Sequence, residues 1–164
     1  MADKSLDVYL NDHLAGAMLG SDLAEQLHTS NEGTPVGEAM GTLAKEIEQD
    51  RQHLIHLMEQ VGATRNPVKQ ATTWVAEKAS RAKFSGATSG DSELGRFMAL
   101  ESLMLGVSGK LALWRMLAEV RDRYDALQAL DLEGLIARAE AQRDVLERAR
   151  IAAGREIFTP ASSS

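Results

Sequence analysis

Residues 37–62 read GEAMGTLAKEIEQDRQHLIHLMEQVG, and their apolar side chains recur in steps of three and four. This spacing predicts a helix with one buried stripe. The apolar members are Met40, Leu43, Ile47, Leu54, Leu57 and Val61. Between Ile47 and Leu54 the same series falls on Asp50, and a carboxylate in a helical core is costly unless it is paired, protonated or bound to a metal. We therefore expect the group that Asp50 faces to decide what this protein does.

The composition indicates an all-α protein with one domain. The chain has 164 residues, only three prolines and few aromatic residues. Ala, Leu, Glu, Arg and Met are plentiful, which favours helix, and no segment has the alternating pattern of a strand. We expect one helical bundle domain over residues 1–160, followed by a flexible tail over residues 161–164.

Charge and cysteine content exclude several classes of function. The net charge of −6 argues against a dedicated nucleic-acid-binding protein. The arginines of the last helix do not form a basic face, because acidic residues alternate with them at helical spacing. The absence of cysteine removes disulfides, thiolate metal sites and thiol nucleophiles.

Neither the first residues nor the most apolar segment indicates a membrane protein. The first residues, MADKSLDVYLND, have no apolar run of the kind that a secretory signal needs, so a cytoplasmic location is expected. Residues 97–120 are the most apolar segment, but Glu101, Lys110 and Arg115 interrupt it. A helix that is buried on most sides explains this pattern better than a membrane span does.

Start and stop signals divide the chain into four long helices. The first is expected from Leu6 to His28, and the second runs from the Thr34-Pro35 start signal to Val61. The third begins at about residues 91–92 and ends near residue 123, and the fourth follows an Asp131 cap and ends near residue 157. A shorter helix is expected over residues 67–83, within the connection between the second and third helices. Short links make the first and second helices antiparallel, and likewise the third and fourth.

This order of helices resembles the ferritin-like superfamily over nearly the whole chain, by architecture more than by motif. The resemblance implies an antiparallel four-helix bundle with one long crossover, which here carries a short extra helix between helices two and three. The di-iron members of that family place a Glu on helices one and three and a Glu-x-x-His on helices two and four. In this sequence the first helix has no Glu in its middle.

Partial matches to those ligands give a candidate metal site. The second helix has Asp50-Arg51-Gln52-His53, the third has Glu101 at an expected inward position, and the fourth has Glu140-Ala141-Gln142-Arg143. The candidate ligands are Asp50, His53, Glu101 and Glu140. The resemblance then implies iron, manganese or another divalent metal, and an oxidative or metal-storage role. This is the alternative interpretation.

The favoured interpretation is a buried charge network without a cofactor. The apolar stripe of the fourth helix includes Arg143 at nearly the height of Asp50, and the third helix carries Arg115 in series with Glu101. An arginine satisfies a carboxylate at two points and stays charged when partly buried. A bundle in which Asp50, Glu101, Arg115 and Arg143 compensate one another needs no metal. We expect it to be a non-catalytic binding or assembly protein, with no catalytic residue.

The third helix has a second apolar face, and the short helix of the crossover is expected to cover only part of it. Its members are Leu100, Leu103, Val107, Trp114 and Leu117. A symmetric partner chain would cover such a face, so a homo-oligomer is predicted, a dimer through helix three. A different possibility is an interaction module for another protein, in which Trp114→Ala changes association and leaves the fold intact.

Overall fold

The computed structural model describes residues 3–65 and 93–159. In these two ranges the regular structure is helical and contains no strand, which confirms the all-α class. The short helix expected over residues 67–83 and the tail over residues 161–164 lie outside the described residues. The described helices are α1 Lys4–Ser30, α2 Pro35–Gln60, α3 Glu93–Glu119, α4 Asp125–Gln128 and α5 Leu132–Phe158.

The helix starts follow the capping signals of the sequence. Thr34 Oγ1 accepts a hydrogen bond of 3.1 Å from the Gly37 amide at the start of α2. Asp131 Oδ1 accepts one of 3.0 Å from the Gly134 amide at the start of α5. Each bond satisfies one of the free N–H groups in a first helical turn. A Cβ at Gly37 would lie 2.0 Å from the Asn31 carbonyl oxygen, so the α1–α2 turn needs glycine there.

The third helix ends earlier than expected. It ends at Glu119 rather than near residue 123, and a 3₁₀ turn, Arg121–Arg123, joins it to the short helix α4. Tightening of this kind is common where a helix ends and the chain turns back. The turn and α4 place Leu127 in the core, where only 1% of it is exposed.

Polar contacts show how the long helices run. Arg96 pairs with Glu156 and Arg121 pairs with Glu133, so α3 and α5 are antiparallel along their whole length. Likewise, His28 lies against the Gly37 carbonyl at one end of the α1–α2 pair. At the other end, Asn11 donates to the carbonyl of Thr64. Helix α1 also packs against α3, and α2 contacts α5.

The apolar interior consists of two separate clusters. One contains Leu10, Leu54 and Trp114, and the other contains Leu27, Met40 and Leu103. Each cluster draws on α1, α2, α3 and α5. The four long helices therefore share both halves of one interior.

The predicted inward face of α3 is wrong, and that of α5 is wrong at two positions. On α3 the face that carries Glu101 was expected to point inward, but Glu101 is 45% exposed and pairs with Arg150. The buried face of α3 is Leu100, Leu103, Val107, Trp114 and Leu117, the one expected to bind a second copy. The physical reason is that this face carries five large apolar side chains and a single charged one, Lys110, whose charge is paired in the interior. On α5 the stripe is right at Leu132, Ala139, Leu146 and Ala153 but wrong at two positions, because Leu135 and Gln142 are buried in place of Ile136 and Arg143.

Candidate functional site

A layer of polar side chains separates the two apolar clusters. On α2 the clusters meet at Asp50, between Ile47 and Leu54. On α3 they meet at Lys110, and on α5 they meet at Gln142. These three residues, with Glu46 and Arg138, are called the polar layer below.

Asp50 is the centre of the polar layer. Only 1% of its side chain is exposed. Its Oδ1 accepts a hydrogen bond from Nη2 of Arg138. Its Oδ2 accepts from Nζ of Lys110 at 2.5 Å and from Nε2 of Gln142 at 3.3 Å. Both oxygens of the carboxylate are therefore engaged by groups from α3 and α5.

Lys110 reaches this layer from α3 with 13% of its side chain exposed. Besides the bond to Asp50, its ammonium donates to Oε1 of Gln142 at 2.5 Å. Burial lowers the pKa of Lys110, because removal from water disfavours the charged form, and the negative charge of Asp50 opposes that shift. The ammonium thus depends on its oxygen partners to remain charged in the interior.

Glu46 and Arg138 complete the layer on its α2–α5 side. Nε2 of Gln142 donates to Oε2 of Glu46 at 3.0 Å, and Nη1 of Arg138 donates to Oε1 of Gln49 at 3.3 Å. Two carboxylates, one ammonium and one guanidinium give the layer no net formal charge. The Gln142 amide connects the two carboxylates and the ammonium, since it donates to both acids and accepts from Lys110.

A polar layer of this kind holds helices in position relative to one another. Both oxygens of Asp50 accept hydrogen bonds from side chains of the bundle itself, two of them cationic. Removing either partner of a buried pair is costly, because the remaining charge has no compensation. The layer therefore opposes any shift of α2 relative to α3 and α5.

The predicted metal ligands do not come together. His53 is exposed on α2. Glu101 pairs with Arg150 at 3.1 Å, and Glu140 pairs with Arg115 at 2.6 Å, both away from Asp50. In residues 3–65 and 93–159 no three His, Cys, Asp or Glu side chains form a group that could hold a metal ion.

The charge network around Asp50 has different members from those predicted. Asp50 is buried and ion-paired as expected, but Lys110 and Arg138 are its partners. Arg143 is 43% exposed and lies 3.9 Å from Asp144. Arg115 pairs with Glu140 at the surface, and Glu101 is not part of the layer. The change follows from the true faces of α3 and α5, which direct Lys110 and Gln142 inward.

A signal for Lys110 and Gln142 was present in the sequence. The α3 stripe Leu100, Leu103, Val107, Trp114, Leu117 lacks one member, and the missing position is residue 110. The α5 stripe through Leu135, Ala139 and Leu146 similarly passes through residue 142. Each gap has the same form as the gap at Asp50, with one polar residue between apolar neighbours.

No family model matches the chain, and neither the curated proteins nor the solved structures contain a match to it. The functional interpretation therefore depends on the geometry of the chain's own residues.

Another ion pair of α2, Glu48–Arg51, lies on either side of Asp50 in the sequence. Arg51 donates to both oxygens of Glu48, at 2.8 and 2.6 Å, and Gln52 donates to Oε1 at 2.8 Å. The hydrogen bonds from Arg51 lower the pKa of Glu48 from 4.5 to about 2. Since this pKa is depressed by folding, the pair stabilises the protein above pH 4.5 and loses that contribution as the pH falls towards 2.

We expect Arg51→Met to raise the pKa of Glu48 towards its ordinary value. The measurement is an NMR titration that follows the side-chain carboxyl carbon of Glu48. The matched control is Arg155→Met, an exposed arginine on α5, which should leave the midpoint unchanged. A midpoint near 4.5 in the native protein would contradict the prediction. The accompanying change in stability should be small, because Glu48 is 42% exposed.

Proposed function

We propose that this chain is a ferritin-like bundle that acts as a non-catalytic assembly protein, with the polar layer in the place of a metal centre. The antiparallel pairs α1–α2 and α3–α5, and the long connection from α2 to α3, support the ferritin-like arrangement. In that family the metal ligands project into the middle of the bundle from facing helices. Asp50 likewise lies in the middle of this bundle, between the two apolar clusters, which supports the proposal.

The residues at that place do not suit a di-metal centre. A carboxylate ligand must offer an oxygen to the metal, and both oxygens of Asp50 already bind Lys110 and Arg138. An ammonium and a guanidinium compete with a metal cation for the same carboxylate. The engagement of Asp50 by two cationic side chains is the observation that carries the proposal.

An assembly role is supported by the effect of the polar layer on the positions of the helices. It fixes the relative heights of α2, α3 and α5, because sliding any one of them would leave a buried charge unpaired. A bundle held in one register presents a constant outer surface to its partners. Rigid surfaces favour association, because less conformational freedom is lost on binding.

The proposal is tested by metal analysis of the full chain, purified without chelators and then exposed to Fe(II) or Mn(II). We expect substoichiometric metal and no oxidation of Fe(II) above the rate in buffer. The informative variant is Lys110→Met, which removes the competing ammonium and retains much of its aliphatic volume. Metal uptake by this variant and not by the native chain would agree with the competition described above.

Stoichiometric metal in the native chain, lost in Asp50→Asn, would contradict the proposal. It would show that a cation displaces Lys110 from the carboxylate. The alternative metal-binding role would then be the better one. Arg115→Met is a suitable control, since Arg115 pairs with Glu140 at the surface and does not contact Asp50.

A further inference from the structure

The outer face of α3 is apolar and exposed. Leu94, Met98, Leu105 and Met116 are 41%, 38%, 52% and 46% exposed, and Ala112 is exposed between the last two. The face of α3 that carries Leu100 and Leu117 is buried in the core, so the opposite face lies at the surface. Exposed apolar side chains that recur along one face of a helix are typical of an interaction site.

The spacing of these residues is symmetric about Leu105, the middle of the face. Met98 and Ala112 lie seven positions before and after it, and Leu94 and Met116 lie eleven positions before and after it. When two such helices pack antiparallel across a twofold axis at Leu105, residue 94 meets residue 116 of the other helix. In the same arrangement residue 98 meets residue 112. A twofold interface is isologous, with the same surface on both sides, and this pattern has the required self-complementarity.

The surroundings of the face favour the same arrangement. Glu101, at its edge, is bound to Arg150 of α5, so it does not bring an unpaired charge into the contact. A Cβ added at Gly106 or Gly109 would meet no atom within 4 Å, so the backbone is open to close approach at these positions. Symmetry places residue 101 of one helix opposite Gly109 of the other, where the glycine leaves room for the longer side chain.

We propose that two copies of this chain associate through the outer faces of α3, packed antiparallel about Leu105. The occupant of the face is thus a second copy. This inference deepens the proposed assembly role and gives it a defined geometry. It also replaces the face that the sequence predicted for a dimer, because Leu100, Leu103, Val107, Trp114 and Leu117 are buried.

A lipid membrane is a competing occupant of the α3 face. Among the described helices, α3 is long and apolar enough to cross a membrane by length and composition. Its inward face, however, carries Lys110 into the polar layer, where the ammonium has oxygen partners that lipid lacks. We therefore favour the second copy, and lipid association is an outcome of the test.

The test uses single cysteines in the full chain, which has no cysteine of its own. At a rise of about 1.5 Å per residue, residues 98 of two antiparallel copies lie about 21 Å apart. Residue 98 of one copy lies opposite residue 112 of the other. A short bis-maleimide should therefore cross-link a mixture of Met98→Cys and Ala112→Cys, and should link neither variant to itself. Leu105→Cys, on the axis, should link to itself.

Controls separate the geometry from random collisions. Leu19→Cys, an equally apolar exposed position on α1, should give no dimer. Leu105→Glu places two carboxylates at the axis and should raise the dimer dissociation constant by at least about tenfold, whereas Leu19→Glu should not. The dissociation constants come from sedimentation of the unlabelled chains.

Three results would overturn the inference. Self-linkage of Met98→Cys, without linkage to Ala112→Cys, would mean a parallel pair. A monomer at high concentration would mean no pair, and flotation of that monomer with lipid vesicles would assign the face to a membrane. A metal-free monomer would contradict this interface alone, whereas a dimer with stoichiometric metal would contradict only the proposed absence of a metal centre.

Discussion

Replacing Asp50 with alanine should lower the free energy of unfolding by about 3–5 kcal/mol. The substitution leaves the buried ammonium of Lys110 and the guanidinium of Arg138 without their carboxylate. The cost comes mainly from these uncompensated cations, since the aspartate itself contributes little apolar area. Urea denaturation followed by circular dichroism measures the difference.

The matched control for Asp50→Ala is Glu140→Ala. Glu140 is also a carboxylate paired with an arginine, but the pair with Arg115 is exposed on both sides. Its removal should cost about 0–1 kcal/mol. An equally small loss for Asp50→Ala would contradict the polar layer as described, because it would mean that water solvates Lys110 and Arg138 once the carboxylate is gone.

Trp114→Ala should also destabilise the fold by about 3–5 kcal/mol. Trp114 has 0% exposed surface and lies in the cluster that contains Leu10 and Leu54. Truncating it removes apolar burial and leaves a cavity that the surrounding helices cannot fill completely. The same denaturation experiment measures the loss.

This expectation opposes the interaction-module possibility raised by the sequence. In that interpretation Trp114 faces outward, so its removal changes association and leaves stability unaffected. Met116→Ala is the control, because Met116 lies two residues away on the exposed face of α3. We expect the two substitutions to affect different properties, with Trp114→Ala lowering stability and Met116→Ala weakening association.

The features predicted correctly from the sequence are those that depend on residues close together in the chain. Thr34 and Asp131 cap helices because their side-chain oxygens satisfy the first free amides. The position of Asp50 in the core followed from the stripe of α2, which has a single strong apolar face. These features depend on neighbours within one or two helical turns, so they can be read without the rest of the fold.

The faces of α3 and α5 could not be assigned in this way. Helix α3 is apolar nearly all round, so two faces compete, and only the surfaces of the other helices choose between them. The choice made from the sequence placed Glu101 inside and treated Lys110 as an interruption. On α5 a shift of one residue exchanged Gln142 for Arg143. The partners of Asp50 were missed because both errors concern the facing helices.

The polar layer has a consequence for how the interior tolerates change. Apolar contacts do not continue across it, so Leu57 on one side and Leu103 on the other belong to different clusters. Residues without shared partners act on stability independently, so changes in the two clusters combine additively. The sequence of each cluster can therefore change independently of the other, provided that the polar layer between them is kept.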